Sequence, residues 1–376
     1  MNEPVPSAPP RTAAMPATEA ELAAMIRECD ARVALTGGAT RHIPQTGPEA
    51  PPRLSTARLT GVTRYEPGAL TLVARAGTPL AEIEALLASH NQRLPFEPMD
   101  HRVILHRTGT PTLGGMIALN HCGPRRVQAG AARDLLLGLR FVDGTGRIVK
   151  SGGRVMKNVT GYDLARLHCG ARGTLGVISE VALKVLPAPE AVMTFTQPQS
   201  DPVAATHTMS RALGAPFEIS GAAWDGAQVL LRIEGFAASV RYRGAQLQSL
   251  IPDLHPLPHG HDPWPDLRDV RALSPLGPDI WRICARASHG ARAAGRLQAA
   301  GVQVMLDWGG ALVWAAAPPG TDLRAHLHGL DGHATRLRGT AGDLPECAPQ
   351  SAPVTALSAR LRQNFDPKGL FQKGSL

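Results

Sequence analysis

The stretch Gly152–Pro187, GGRVMKNVTGYDLARLHCGARGTLGVISEVALKVLP, narrows the choice of fold more than any other. Its first half predicts a helix start, with Thr160 as N-cap, Asp163 completing a capping box, and Leu164 and Leu167 on one face. Gly170, Gly173 and Gly176 follow at every third position. From Val177 to Leu186 the pattern becomes a strand, which Pro187 stops. Glycines held between a capped helix and a buried strand mark a place where backbone or ligand comes too close for a Cβ. Bare N–H groups at such a place suit an anion or the edge of a base. One glycine would need only an ordinary turn; three, with Thr174, point to a ligand loop.

Two further glycine clusters precede it. Val33–Leu35 reads as a short apolar strand opening into Thr36-Gly37-Gly38-Ala39-Thr40-Arg41, a loop suited to phosphate. It is not a Walker loop, because no G-K-[ST] follows. Nor is it a Rossmann fingerprint, lacking G-x-G-x-x-G and a helix behind it. The second cluster, Thr112–Arg126, runs TLGGMIALNHCGPRR and ends in arginines that suit phosphate or carboxylate. Around these loops we expect a helix over Glu19–Ala31, and another through Ser89 with Thr78 as N-cap and Pro79 at N1. Strands are expected over Leu70–Ala76, Leu135–Val142 and Arg147–Lys150, the last two joined by the turn Asp143-Gly144-Thr145-Gly146. Three separate glycine clusters within residues 19–187 fit a large, extended diphosphate ligand.

Beyond a proline-marked linker (Pro187, Pro189, Pro198) the texture changes to strands alternating with helices. Strands are read at Val229–Ile233, Trp281–Ala285 and Ala311–Ala315, helices at Val240–Leu250 and Ala291–Ala300, an α+β pattern. His255–Trp264 holds three histidines among prolines, with no second ligand pair nearby, so it reads as a solvated loop and not a zinc site. The tail reads as an amphipathic helix (Leu357, Leu361, Phe365) stopped at Asp366-Pro367, with Leu370 and Phe371 as apolar anchors.

Composition excludes several classes. A chain of 376 residues with 43% hydrophobic content divides into two domains with real cores, and 4% aromatic content makes those cores depend on Leu, Val and Ala. The net charge of +8 permits an acidic partner or an anionic membrane surface, but no basic run or stacking-aromatic motif supports nucleic acid. Five scattered cysteines without C-x-x-C fit free thiols in a reducing compartment and cannot frame an iron–sulfur site. Met1–Thr18 lacks an apolar core and reads as a loose tail, and no apolar stretch is long enough to span a bilayer. We therefore expect a soluble cytoplasmic protein, at most peripherally attached, with no metal site.

Taken in order, Thr36–Arg41, T-x-GG-x-x-A-x-N-x-x-GPRR, MKNVTGYDLARL, G-x-x-GTLGVISEVALKVLP and FDPKGLF resemble the FAD-binding fold of the vanillyl-alcohol-oxidase and p-cresol-methylhydroxylase type. Within it the chain is similar to the family of FAD-binding subunits of glycolate oxidase (glycolate dehydrogenase). The marks are Gly153–Arg166, Asp307–Trp314 (DWGGALVW) and Gly332–Arg336 (GHATR). The resemblance implies an α+β protein: a disordered tail over 1–18, a two-subdomain FAD-binding domain over 19–188, an α+β cap over 189–350, and a C-terminal helix and tail over 351–376 docking back.

It also implies FAD, held by Gly37, Gly38, Ala39 and Thr40 at the pyrophosphate, by Thr112, Gly114, Gly115 and Asn120 on the second loop, and by Gly170, Gly173, Thr174, Gly176 and Val177 on the third. Relatives commonly carry a third glycine and a serine at Ala39 and Thr40, and Asn-Pro at Gln372-Lys373. No histidine lies inside the first loop, and Cys122 reads as a buried thiol, so the flavin is expected to be non-covalent. Oxidising a 2-hydroxy acid needs a cation for its carboxylate, a base for its proton and a hydride acceptor. His333 and Arg336 are the candidate base and cation, unless they only brace Asp307 and the Trp308 loop.

The implied partners are a larger FAD-binding catalytic subunit and an iron–sulfur subunit, with the complex at the inner face of the plasma membrane. Glycolate would be oxidised to glyoxylate. The alternatives are a stand-alone flavin dehydrogenase of another 2-hydroxy acid and a non-catalytic assembly subunit.

Overall fold

The computed structural model describes residues 13–41, 50–154, 161–258, 260–339 and 344–371. β1 (Ala34–Thr36) and β2 (Arg53–Ser55) form a short parallel pair, extended by Ala14 beside Leu54. Then come β3 (Val62–Glu66), β4 (Thr71–Arg75), β5 (Gln92–Arg93), β6 (Leu136–Val142), β7 (Ile148–Gly152), β8 (Val177–Lys184) and β9 (Leu186–Pro187). Five of them build an antiparallel sheet in the order β3-β4-β8-β6-β7, and β5 pairs with β9. The β6–β7 turn forms because the buried Asp143 carboxylate accepts from the amides of Thr145 and Arg147 at 2.9 and 3.0 Å.

Three local expectations change. Ala14 is paired and the Thr18 hydroxyl caps the helix Glu19–Glu28 through the Glu21 amide, so residues 13–18 are not a loose tail. Residues 1–12 lie outside the described part. The helix Leu80–Ala88 has Pro79 at its N-cap position, while the Thr78 hydroxyl accepts from the Gly61 amide at 3.0 Å. Asp163, not Thr160, caps the helix Leu164–His168, accepting from the Arg166 amide at 3.0 Å. Thr160 itself is outside the described residues.

The second half is one eight-stranded sheet: β10 (Ala191–Pro198), β11 (Ile219–Trp224), β12 (Gln228–Gly235), β13 (His255–Pro256), β14 (Asp279–Ala285), β15 (Gln303–Asp307), β16 (Leu312–Ala317) and β17 (Gly332–Arg338). Its order is β13-β10-β12-β11-β15-β16-β14-β17, antiparallel throughout. On one face Trp224, Trp281, Ile283 and Val313 pack with the helices Pro202–Leu213, Ala237–Leu250 and Ala287–Ala299. On the other, Leu230, Met305, Leu312 and Trp314 pack against Met99, Ile104 and Leu105 of the first half. Burial on both faces explains the near-continuous apolar runs of β12 and β16. Trp264, expected in a solvated loop, is buried with its Nε1 donating to Thr194 Oγ1, whereas His255 and His261 are exposed.

A buried ion-pair network joins the halves. Arg125 and Arg93 each reach Glu234 at 2.9 Å, and Arg232 reaches Glu97 at 2.8 Å. The C-terminal helix Ala352–Phe365 is held by its last turn, where Phe365 meets Phe141 edge-on; Leu357, expected on its packed face, is exposed. Beyond it the Asp366 carboxylate accepts from the Leu370 and Phe371 amides at 2.9 and 2.8 Å, and both side chains bury against Leu22, Ile26 and Val33.

Candidate active site

β1 runs out at Thr36 into the first glycine loop. The amide N–H groups of Gly37, Gly38, Ala39 and Thr40 find no acceptor among the described residues. Ala39 sits at φ 58°, which curves this row of donors into a concave anion-binding form. A Cβ on Gly38 would lie 1.6 Å from the Thr110 carbonyl oxygen, so the loop is flush against the segment before the second cluster. There Thr112 caps the helix Leu113–Leu119, and Gly114 lets that helix sit on the end of β4, where a Cβ would meet Ala76 at 2.7 Å. In the third cluster Gly176, at φ 150°, turns the chain into β8 beneath the Val142 carbonyl.

The glycines thus let the loops approach each other, and between them lies an open cleft. Gly37, Gly38, Ala39, Thr40, Thr112, Gly114, Gly115, Gly173, Gly176 and Val177 line it. Asn120, Gly170 and Thr174 do not; they brace the loops from behind. Asn120 Oδ1 accepts from the Arg133 amide at 3.2 Å, the Gly170 amide donates to Ile117, and the Thr174 hydroxyl donates to Ala171 at 2.7 Å. Thr56, Leu119 and Arg172 line the cleft without having been expected there, and so does Arg41, which closes the first loop. Arg172, between Ala171 and Gly173, takes φ 55°, a conformation ligand loops often hold in non-glycine residues. Arg41 is buried, donates to the Met99 carbonyl at 2.9 Å, and burial lowers its guanidinium to about 10.

The cap-side sheet overturns one sequence assignment. His333 and Arg336 are three apart on β17, and residues three apart on a strand face opposite sides. Arg336 lies opposite Trp281, on the helix-covered face, where it meets the buried Asp279 carboxylate at 3.5 Å and donates to Leu344 at 2.9 Å. It is a structural ion pair and not a free cation for substrate. His333 lies opposite Cys284, on the face turned toward the first half. Burial, and then the charge of Arg282, lower its pKa.

On that face lies Arg282, which sequence reading passed over, since an arginine inside the seven-residue strand Asp279–Ala285 looks like any solvated strand position. Its guanidinium stacks over Trp308 at 5.2 Å, and Arg126 stacks over the same indole at 4.5 Å. Trp308 is fixed by its Nε1 donating to Gly123 at 3.1 Å. Below it Asp307 accepts from the Trp308 amide at 2.7 Å, and burial pushes its carboxyl up to about 7. Across the interface His101 and His121 share a 2.8 Å hydrogen bond. Burial first, and nearby arginines after it, hold both well below the ordinary histidine range, so they are neutral. Cys122 is a buried thiol pushed up by burial. Among the described residues no group of three or more His, Cys, Asp or Glu is placed to hold a metal ion, and no helix is long and apolar enough to cross a membrane.

Residues 10–152 match the family described as FAD binding domain. Glycolate oxidase subunit GlcE of Escherichia coli (strain K12) is 36% identical over 324 residues, which cover 84% of each chain. Glycolate oxidase subunit GlcD of Bacillus subtilis (strain 168) is 39% identical over 104 residues, 28% of this chain and 22% of that one. Among solved structures, an alkyldihydroxyacetonephosphate synthase matches with a TM-score of 0.65 at 14% identity, over 95% of this chain and 74% of that one, a likeness of fold.

Proposed function

The chain belongs to the glycolate oxidase subunit GlcE family of FAD-binding oxidoreductases, and from that premise we propose that it holds FAD between its three glycine loops and serves the oxidation of a 2-hydroxy acid. Convergence of three segments distant in sequence on one cleft, with amides at one end that find no acceptor among the described residues, carries this reading. The residues fit the cofactor. The amides of Gly37, Gly38, Ala39 and Thr40 would meet the pyrophosphate, while Thr112, Gly114, Gly115, Gly173, Gly176 and Val177 would lie along the remainder. When bound, FAD supplies the two-electron hydride acceptor.

His333 would take the proton of the substrate hydroxyl at a ring nitrogen, a role its neutral form at physiological pH allows. Residues 19–188 form the FAD-binding domain in this reading, 189–350 the cap, and the C-terminal segment from 351 returns to the first domain. The finer proposal is glycolate oxidised to glyoxylate, with a larger FAD-binding subunit and an iron–sulfur subunit as partners and the complex resting on the membrane. A relative named as a subunit supports a complex, and five free cysteines leave electron relay by a cluster to another chain.

The test is the visible spectrum of the purified chain, then anaerobic glycolate with and without co-produced partners. Bleaching of the flavin band only with partners present supports the subunit reading, and bleaching by the chain alone supports a stand-alone dehydrogenase. A yellow protein that no 2-hydroxy acid bleaches in either setting sinks the substrate proposal. A colourless one, after purification in excess FAD, leaves an assembly role.

A further inference from the structure

We propose that Arg282, with Arg126 facing it across the interface, forms the subsite that binds the substrate carboxylate; this rests on the 2-hydroxy-acid reading above. The interface arginines divide into two sets. Arg93, Arg125 and Arg232 pair with Glu97 and Glu234. Arg282 and Arg126 make no ion pair, and their guanidiniums make no hydrogen bond, among the described residues; both are held by the Trp308 indole, and Arg282 also by Trp314 at 6.0 Å.

Stacking occupies the flat face of a guanidinium and leaves its edge donors open, the form that takes a carboxylate bidentately. The charges around Arg282 make an anion welcome. Arg126 and Arg172 both act on Arg282 as like charges, and burial raises the pKa of the Cys122 thiol beside it. Asp307, on the same face, feels the Arg282 charge but accepts from the Trp308 amide and makes no ion pair with Arg282. A half-buried cation without a counter-ion is costlier than a paired one, and such a group is kept where a ligand supplies the missing charge.

The position fits as well. Arg172, whose charge acts on Arg282, lines the FAD cleft, while Arg282 and Arg126 themselves lie outside its lining. In the β14–β17 register Arg282 lies opposite Thr335 and Cys284 opposite His333, which makes His333 the diagonal neighbour of Arg282 on the same face. Such positions are about 7–8 Å apart. A short 2-hydroxy acid bound through its carboxylate at Arg282 therefore presents its hydroxyl toward His333.

The test uses the full-length, FAD-loaded chain and oxalate, a two-carbon anion that cannot be oxidised by hydride loss, followed by flavin difference absorbance. We expect Arg282→Gln to weaken oxalate binding about 10- to 100-fold while FAD content and the ligand-free spectrum stay as in wild type. Arg282→Lys, which keeps charge and bulk should Arg282→Gln fail to fold, should fall between them. Arg336→Gln, on the opposite face, should lower thermal stability without moving oxalate affinity. Unchanged affinity in both Arg282 variants overturns the proposal, as does a flavin-loaded wild type with no saturable oxalate binding. Failure of the underlying reading looks different: oxalate binding that depends on Arg282, in a protein whose flavin no 2-hydroxy acid reduces with partners present, keeps the anion site and removes the reaction.

Discussion

Arg125 and Arg126 are neighbours in the chain and end in opposite electrical surroundings. Arg125 enters the acid-paired end of the interface, where the three guanidiniums of Arg93, Arg125 and Arg232 share the two carboxylates of Glu97 and Glu234. Burial alone would raise the Glu234 carboxyl, and the surrounding guanidiniums overcome it and hold it at about 2. Arg126 stands at the other end with Arg282, on one indole and with no carboxylate partner among the described residues. One residue type does two jobs, and the difference lies in whether the fold itself supplies the anion. Where it does, the halves are clamped; where it does not, the interface is left open to a ligand.

The sharpest way to break this contrast is at the clamp. Glu234→Ala leaves Arg93 without its carboxylate and Arg125 with Glu97 alone, and should cost roughly 3–5 kcal/mol of stability by denaturant titration. A loss no greater than that of a surface pair would mean that the acid-paired end holds nothing. Acid titration probes the same end more gently. Because the folded-state pKa of Glu234 is depressed, its contribution is complete above about 4.5 and is lost as pH falls toward about 2. The melting temperature of wild type should drop through that window, and that of Glu234→Ala should drop less.

Asp307 works in the other direction. An acid whose folded pKa is raised from 3.8 to about 7 holds its proton longer folded than unfolded, so stability declines as pH climbs between those values. Asp307→Asn keeps an acceptor for the Trp308 amide and removes that slope. It should gain on the order of 2 kcal/mol at pH 8 and little at pH 4, as read by calorimetry at both. The smallest effect belongs to the end where Arg126 stands. Arg126→Met loses one cation–π contact but relieves a like-charge repulsion, so its stability should move by about 1 kcal/mol or less. A large destabilisation there would make Arg126 a structural bolt like its neighbour.

Much of this was legible in the sequence where local chemistry decides geometry. The turn Asp143–Gly146 fixes a hairpin because a buried carboxylate can gather its amides, and FDPKGLF docks because Asp366 does the same for Leu370 and Phe371. Small residues at Gly37, Gly114 and Gly176 announced close approach, although the nearest atoms prove to be the protein's own. Strand parity was not legible. GHATR reads as a compact pair of functional residues until β17 puts His333 and Arg336 on opposite faces. Arg282 was hidden for a related reason: which arginine lacks a carboxylate depends on partners far away in the chain. Asn120 and Thr174 show the converse, polar residues inside ligand loops whose hydrogen bonds are used up locally.

The central claim is that the loop Gly37–Thr40 holds the diphosphate of FAD because it lies flush on Thr110. Fluorescence titration of FAD into the cofactor-stripped chain tests it most directly, comparing wild type with Gly38→Ala and with Gly68→Ala, where an added Cβ meets nothing within 4 Å. The account predicts tight binding by wild type and Gly68→Ala, and a loss of about tenfold or more in Gly38→Ala, since a Cβ there forces the amides out of their row. Equal FAD affinity in all three proteins would contradict it.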